Sequence, residues 1–246
     1  MKIISLNIEM HKHHDRVLPF LKKENPDVVC LQELLETDYE KFRDELGMEG
    51  FYKPIEYVYA DAYGGPTNVR HGEAIFARSL SDMTFAYYIG SEENIAHSFE
   101  EYFADEDLRD NRVLLSAKVT HTDGKEYTIL NTHFTLTEMG EATPKQLNDL
   151  DKLFVELEKF PEFVLVGDFN APRGKETFTR LAQKYTDNIP AHYTTSLDMN
   201  LHRKGHLKFE NMVDGIFTTP HYIASNVALV DGVSDHMAIV ADIELA

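Results

Sequence analysis

Gly167-Asp168-Phe169-Asn170-Ala171-Pro172 follows the apolar run Phe163-Val164-Leu165-Val166. That run is long enough for a buried strand, and a glycine ends it. In an extended chain, residues two apart project to the same side, so Asp168 and Asn170 are expected to stand together at a strand mouth. The carboxylate can act as base or metal ligand. The amide can donate to a phosphoryl oxygen and accept elsewhere. Asp, Asn, Pro and Gly also build turns, so this segment alone leaves a plain turn open.

Four further segments argue for a site. Ile3-Ile4-Ser5-Leu6 runs into Asn7-Ile8-Glu9, and Val28-Val29-Cys30-Leu31 runs into Gln32-Glu33. Tyr127-Thr128-Ile129-Leu130 closes on Asn131-Thr132-His133, and Ser234-Asp235-His236 precedes the strand-like Met237-Ala238-Ile239-Val240. Each is an apolar run with Asn, Asp, Glu or His at one end. Sheets with buried strands place their ligand and catalytic groups at such strand mouths.

Seven segments in one order carry a resemblance. They are Leu6-Asn7-Ile8-Glu9, Leu31-Gln32-Glu33, Gly72-Glu73-Ala74-Ile75, Asn131-Thr132-His133, Gly167-Asp168-Phe169-Asn170, Val213-Asp214-Gly215-Ile216-Phe217 and Ser234-Asp235-His236. In this set and order the chain resembles the endonuclease/exonuclease/phosphatase family, which includes DNase I, apurinic endonucleases, sphingomyelinases, inositol-polyphosphate phosphatases and poly(A) deadenylases. The resemblance implies an α+β fold: a four-layer αββα sandwich of two packed, mostly antiparallel sheets.

The residues agree independently. Strand-like runs dominate, with helical patterns at about residues 13–24, 37–47, 143–159 and 175–184. In the third, Leu147, Leu150, Leu153, Phe154 and Leu157 share a face. Thr143 is placed to cap it, with Pro144 in the first turn and Pro161 beyond its end. No Pro/Gly/Ser-rich linker divides the sequence and the candidate site draws on both ends, so residues 1–246 are read as one domain. With 43% hydrophobic residues the chain has ample material for a core.

The net charge is −18, from 24 basic and 42 acidic residues. Proteins that grip duplex nucleic acid usually carry basic stripes, so the charge favours a small phosphoester or a short single strand. The segment 91–109 is rich in Glu and Asp around Phe99, Tyr102 and Phe103; it reads as a solvated loop or short helix, with a specificity loop as the sharper alternative. A basic cluster, His202-Arg203-Lys204 with His206 and Lys208, precedes the Val213-Asp214 strand. No signal peptide and no membrane span are recognisable, and the single cysteine, Cys30, lies among valines as a small buried hydrophobe. These absences point to the cytoplasm. No protein partner is predicted.

The resemblance also implies the chemistry. It makes Asn7 and Glu33 the first ligands of Mg²⁺ or Mn²⁺, with Asp235 contributing through a water and Glu9 binding a second ion or ordering the first. His236 and Asp214 match the family's histidine–carboxylate pair. Asp168 is placed to align or deprotonate water, with Asn170 on a phosphoryl oxygen and His133 on the phosphate or leaving group. Whether His236 or Asp168 is the base stays open. Relatives often carry Glu-Gly-Asn where this chain has His71-Gly72-Glu73, so His71 and Glu73 depart from the family's pattern and their roles as candidate substrate contacts stay open. Arg112 and Arg203 are further candidate substrate contacts. His11, His13 and His14 look like a metal tract by composition, but their position reads as the start of a helix.

The expectation is therefore a metal-dependent phosphodiester hydrolase in which water attacks phosphorus directly, acting on nucleic-acid ends or short single strands. The alternatives are a phospholipid, sphingomyelin or inositol-phosphate phosphoesterase and, behind these, an inactive binding protein of the same fold.

Overall fold

Period-2 alternation within each apolar run sorts its side chains between two faces, and the tertiary structure uses both. The computed structural model describes residues 1–58, 69–104 and 110–246. Among the described residues, twelve strands form two six-stranded sheets. The first contains β1 (Lys2–Asn7), β2 (Val28–Leu35), β3 (Glu49–Val58), β4 (Val69–Ala77), β11 (Tyr222–Val230) and β12 (Ala238–Leu245), in the order β11-β12-β1-β2-β4-β3. The second contains β5 (Leu80–Ile89), β6 (Arg112–Thr120), β7 (Glu126–His133), β8 (Val164–Asp168), β9 (Thr186–Asp187) and β10 (Asp214–Thr218), in the order β5-β6-β7-β8-β10-β9. Pairing is antiparallel except between β1 and β2 and between β7 and β8.

Three apolar layers hold this together. Ile3, Val28, Cys30, Ile75, Val164 and Val166 lie in the core between the sheets. Their sequence neighbours Ile4, Val29 and Phe76 point outward and pack on Val17, Leu21 and Phe42. Those residues belong to α1 (His14–Glu24) and α2 (Tyr39–Leu46). On the opposite outer face, Leu130 and Leu165 meet Leu150, Leu153 and Leu181, carried by α4 (Pro144–Leu157) and α5 (Glu176–Lys184). Helix, sheet, sheet, helix is the four-layer sandwich that the family resemblance implies. A short α3 (Phe99–Ala104) lies in the acidic segment. Among the described residues no helix is long and apolar enough to cross a membrane.

Helix α4 starts as its sequence requires: Thr143 Oγ1 accepts from the Gln146 amide at 3.2 Å, with Pro144 in the first turn. Its buried face differs in detail from the expected one. Leu147 is half-buried, while Gln146 and Asp149 are buried. The reason is the loops beneath. Gln146 Nε2 donates to the carbonyls of Thr135 (3.0 Å) and Asn170 (3.3 Å), and Asp149 accepts from Thr135 Oγ1 (2.9 Å). These polar residues tie together the chain just after β7 and just after β8, at the site.

Candidate active site

The side chains that face between the sheets are apolar along most of each strand and turn polar at one end. β1 reads Ile3, Ser5, Asn7; β2 reads Val28, Cys30, Gln32; β7 reads Ile129, Asn131, His133; β8 reads Val164, Val166, Asp168. Strand register then aligns them. His133 and Asp214 both pair with Asp168, from either side, and Asn7 pairs with Gln32. The polar ends of both sheets therefore converge on one cleft.

Beneath it lies a buried polar bridge. Asn131 Nδ2 donates to the carbonyls of Leu31 and Ala74, each at 3.0 Å, and its Oδ1 accepts from Gln32 Nε2 at 2.7 Å. One residue of the second sheet thus satisfies two carbonyls of the first. Gly167 allows the neighbouring close approach: a Cβ there would stand 1.9 Å from the Thr132 carbonyl oxygen.

Asp168 is the hub. Its Oδ1 accepts from the Asn170 amide (2.8 Å) and its Oδ2 from Asn7 Nδ2 (3.2 Å). The imidazoles of His133 and His236 reach to 3.5 and 3.7 Å of the same Oδ2. Burial pushes its carboxyl up to about 7, with Asp214 adding repulsion and His236 opposing. His236 Nδ1 lies 2.8 Å from Asp214 Oδ2. Burial disfavours the imidazolium, yet Asp214 and Asp168 outweigh it and hold His236 well above the usual histidine range. His133 is driven the other way, by burial and then by Arg112, His71 and His236.

The four sequence-nominated metal ligands form two groups. Asn7 Nδ2 donates to Glu33 Oε1 at 3.1 Å, beside Asp168. Glu9 and Asp235 instead cluster with His13. Asp235 is buried, and among the described residues only Ser234 Oγ donates to it, at 3.2 Å to Oδ1. Its carboxyl is pushed up to about 6 by burial, with His236 opposing and with Glu9 and Glu33 adding repulsion. A row of hard oxygen donors with a carboxylate oxygen left without a donor fits Mg²⁺ or Mn²⁺. Glu9, Glu33 and Asn170 adopt positive φ (46°, 59° and 49°), costly for non-glycine residues and concentrated where a cleft needs exact side-chain placement.

The candidate substrate contacts also gather here. Arg112 Nη1 donates to the Asn111 carbonyl at 2.7 Å, and its Nη2 lies 3.4 Å from Asp110. Glu73 is fully buried 3.9 Å from His133, with no donor on either oxygen, and burial holds it well above the carboxylate range despite Arg112. His71 lies 3.7 Å from Glu56. Arg203 lines the cavity, as does Asn170, whose amide donates to the Phe134 carbonyl (3.0 Å). The cavity measures about 700 Å³.

Sequence reasoning missed the segment that buckles the site. Ser196 Oγ accepts from the amides of Val213 and Asp214, both at 3.0 Å. Leu197 bridges to His236, and the Asp198 amide donates to the Asp235 carbonyl at 2.8 Å. Three consecutive loop residues thus hold Asp214, Asp235 and His236 in place. A loop has no periodicity, so no pattern announced them. From the acidic segment, Tyr102 of α3 lines the cavity; Asp105, Glu106 and Asp107 lie outside the described residues.

Residues 4–236 match the model of the endonuclease/exonuclease/phosphatase family. The chain belongs to this family. Solved structures share its fold at low identity. A family member from Bacteroides vulgatus superposes with a TM-score of 0.71 at 17% identity, over 100% of this chain and 98% of that one. The human Nocturnin catalytic domain with bound sulfate gives 0.69 at 16%, over 100% and 93%. ANGEL2, a 2′,3′-cyclic phosphatase bound to adenosine-2′,3′-vanadate, gives 0.67 at 15%, over 99% and 95%. No curated protein matches the chain. Members of this family are phosphoesterase hydrolases.

Proposed function

We propose that residues 1–246 form one catalytic unit, a Mg²⁺- or Mn²⁺-dependent phosphodiesterase in which water attacks phosphorus without a covalent enzyme intermediate. The observation that carries this is the chain Asp214–His236–Asp168–Asn7 at the meeting of the two sheets. His236, whose pKa Asp214 and Asp168 hold well above the usual histidine range, is suited to hold a phosphoryl oxygen rather than to take a proton from water. Asp168, poised near neutrality and oriented by the Asn170 amide, is the better base. His133, kept neutral beside Arg112, faces the same phosphate with a hydrogen bond to donate. Asn7, Glu33, Glu9 and Asp235 would hold the cation. When bound, such an ion neutralises charge on the phosphoryl oxygens and acidifies water.

For substrate, nucleic-acid ends or short single strands are the first reading. Tyr57, Tyr102 and Phe209 line the cavity beside Arg203 and Lys204, the pairing of stacking faces with cations that single strands use. The same rim favours a second reading. Leu136 and Leu207 line the cavity, yet are 63% and 60% exposed, and apolar groups at a phosphoesterase mouth suit a phospholipid. Of the tyrosines in that part of the chain, Tyr59 and Tyr63 lie outside the described residues. The relatives bracket the choice: one is a 2′,3′-cyclic phosphatase, and another, from Bacteroides thetaiotaomicron, is a mannosyl-6-phosphatase.

A panel of oligonucleotides, sphingomyelin, inositol phosphates and sugar phosphates, assayed with Mg²⁺, Mn²⁺ or chelator, tests the reading. Asp168→Ala and His236→Ala should each lower the rate by about 10²–10⁴ with the fold intact. Cleavage of lipid headgroups but not oligonucleotides would move the substrate to the second reading. Chelator-resistant turnover would remove the metal from the mechanism.

A further inference from the structure

Residues 199–209 hold Arg203, Lys204, Lys208 and two histidines but no Asp or Glu, in a chain with 42 acidic residues. This loop is tied down at its start. The Asp198 carboxylate accepts from the amides of Asn200 (2.9 Å) and Gly232 (2.7 Å), and its carbonyl accepts from those of Leu201 (3.0 Å) and His202 (2.7 Å). Gly205 packs on the loop's own backbone: a Cβ there would stand 1.9 Å from the Met199 carbonyl oxygen. Because the Asp198 amide is bonded to the Asp235 carbonyl, the basic loop is held against the segment that carries His236.

His202, Arg203 and Lys204 line the same cavity as Asp168 and His236. Arg112 lines it too, but is buried near His133 and anchored on the Asn111 carbonyl, so it faces the phosphate at the hydrolytic groups. Arg203 and Lys204 are exposed at the rim and make a second group of cations. Lys204 pairs with no carboxylate among the described residues, unlike Lys175 and Lys184, which pair with Glu141 and Glu158. His202 adds a neutral donor. Its Nδ1 accepts from the Lys204 amide at 3.1 Å, so the ring proton sits on Nε2. Burial, then the charges of His236 and Arg203, bring His202 down to about 4, which keeps that tautomer at neutral pH. Two cations and an N–H donor are groups that take a phosphomonoester.

We propose that His202, Arg203 and Lys204 form a second anion subsite, which binds a phosphomonoester carried on the substrate beside the phosphate that is attacked. The preferred substrate then bears at least two phosphates on one small scaffold, a nucleotide or an inositol ring. The cavity of about 700 Å³ lies within the range of about 300–1,000 Å³ usual for ligand sites and has room for both groups. The subsite rests on the hydrolase reading for the first phosphate. Because its test reads binding without turnover, failure of the subsite and failure of the hydrolase reading are separate results.

The test is calorimetry on the full chain with chelator present. It compares adenosine 3′,5′-bisphosphate with adenosine 5′-monophosphate, and inositol 1,4-bisphosphate with inositol 1-phosphate. On one scaffold the bisphosphate is expected to bind at least about tenfold more tightly than the monophosphate, and the scaffold that shows the preference identifies the source of the second phosphate. Lys204→Met should weaken bisphosphate binding at least about fivefold and leave the monophosphate unchanged, while Lys204→Arg should keep the preference. Lys184→Met removes the same charge from an exposed helix end that does not line the cavity, and should also keep it. No preference on either scaffold, a preference untouched by Lys204→Met, or an equal loss from Lys184→Met overturns the proposal.

Discussion

Replacing Asp214 by asparagine removes the charge that faces His236 while keeping the side chain's size. The Nδ1–Oδ2 distance of 2.8 Å places the two charge centres about 4 Å apart; at an effective dielectric near 20 that is an attraction of about 4 kcal/mol. Asp168, 3.7 Å from Nε2, and Asp235 still favour the imidazolium, so the His236 pKa should fall, by less than the full Asp214 attraction. In the parent chain, burial pulls the His236 pKa down and Asp214 and Asp168 pull it further up. The folded pKa therefore exceeds the unfolded one. The stability this contributes is complete below the ordinary histidine range and is lost as pH rises through the folded value. Asp214→Asn should thus lose most stability on the acid side and least in strong base. In activity, the basic limb of kcat/KM should move to lower pH, leaving the variant better at mildly acid pH than at pH 8. NMR titration of the His236 ring reads the shift directly. An unchanged or raised His236 pKa would refute the assignment of His236 as a cation held by Asp214.

Two structural predictions follow from the floor of the cleft. Asn131→Ala strips donors from the carbonyls of Leu31 and Ala74 and an acceptor from Gln32; at about 1–3 kcal/mol per buried unpaired group, urea unfolding should show a loss of at least about 3 kcal/mol, and a loss under 1 would mean the bridge is incidental. Gly167→Ala drives a Cβ against the Thr132 carbonyl, so β7 and β8 must part where His133 and Asp168 sit side by side. The expected result is a cost of about 2–3 kcal/mol in thermal unfolding, with a fall in kcat larger than the folded fraction explains; parent-like activity would show that the register has no bearing on catalysis.

Much of this molecule is legible in its sequence because strands carry their own address. The run Phe163–Val166 ending at Gly167-Asp168 specifies both a buried strand and the polar group at its mouth, and the same logic locates Asn7 and His133, whereas Asp214 follows from the family resemblance. Helix α4 is legible for the same reason, through Thr143, Pro144 and its leucines. The failures have physical causes. Gln146 and Asp149 replace Leu147 in the buried face because they satisfy loop carbonyls and hydroxyls, a demand that appears only once the loops are folded. Ser196 and Asp198 act through loop hydrogen bonds that leave no period. His13 could be read as the start of a helix, and it is; that its ring also turns back to Glu9 depends on two left-handed residues that no pattern reveals.

Hydrolysis carried out in ¹⁸O-labelled water, with a diester that the panel shows to be cleaved, tests the central claim most directly. If water activated at Asp168 attacks phosphorus, a single turnover places one ¹⁸O on the phosphate product and none on the released alcohol, with inversion at a chiral phosphorus. Label in the alcohol, or retention of configuration through a phosphorylated side chain, would contradict the account.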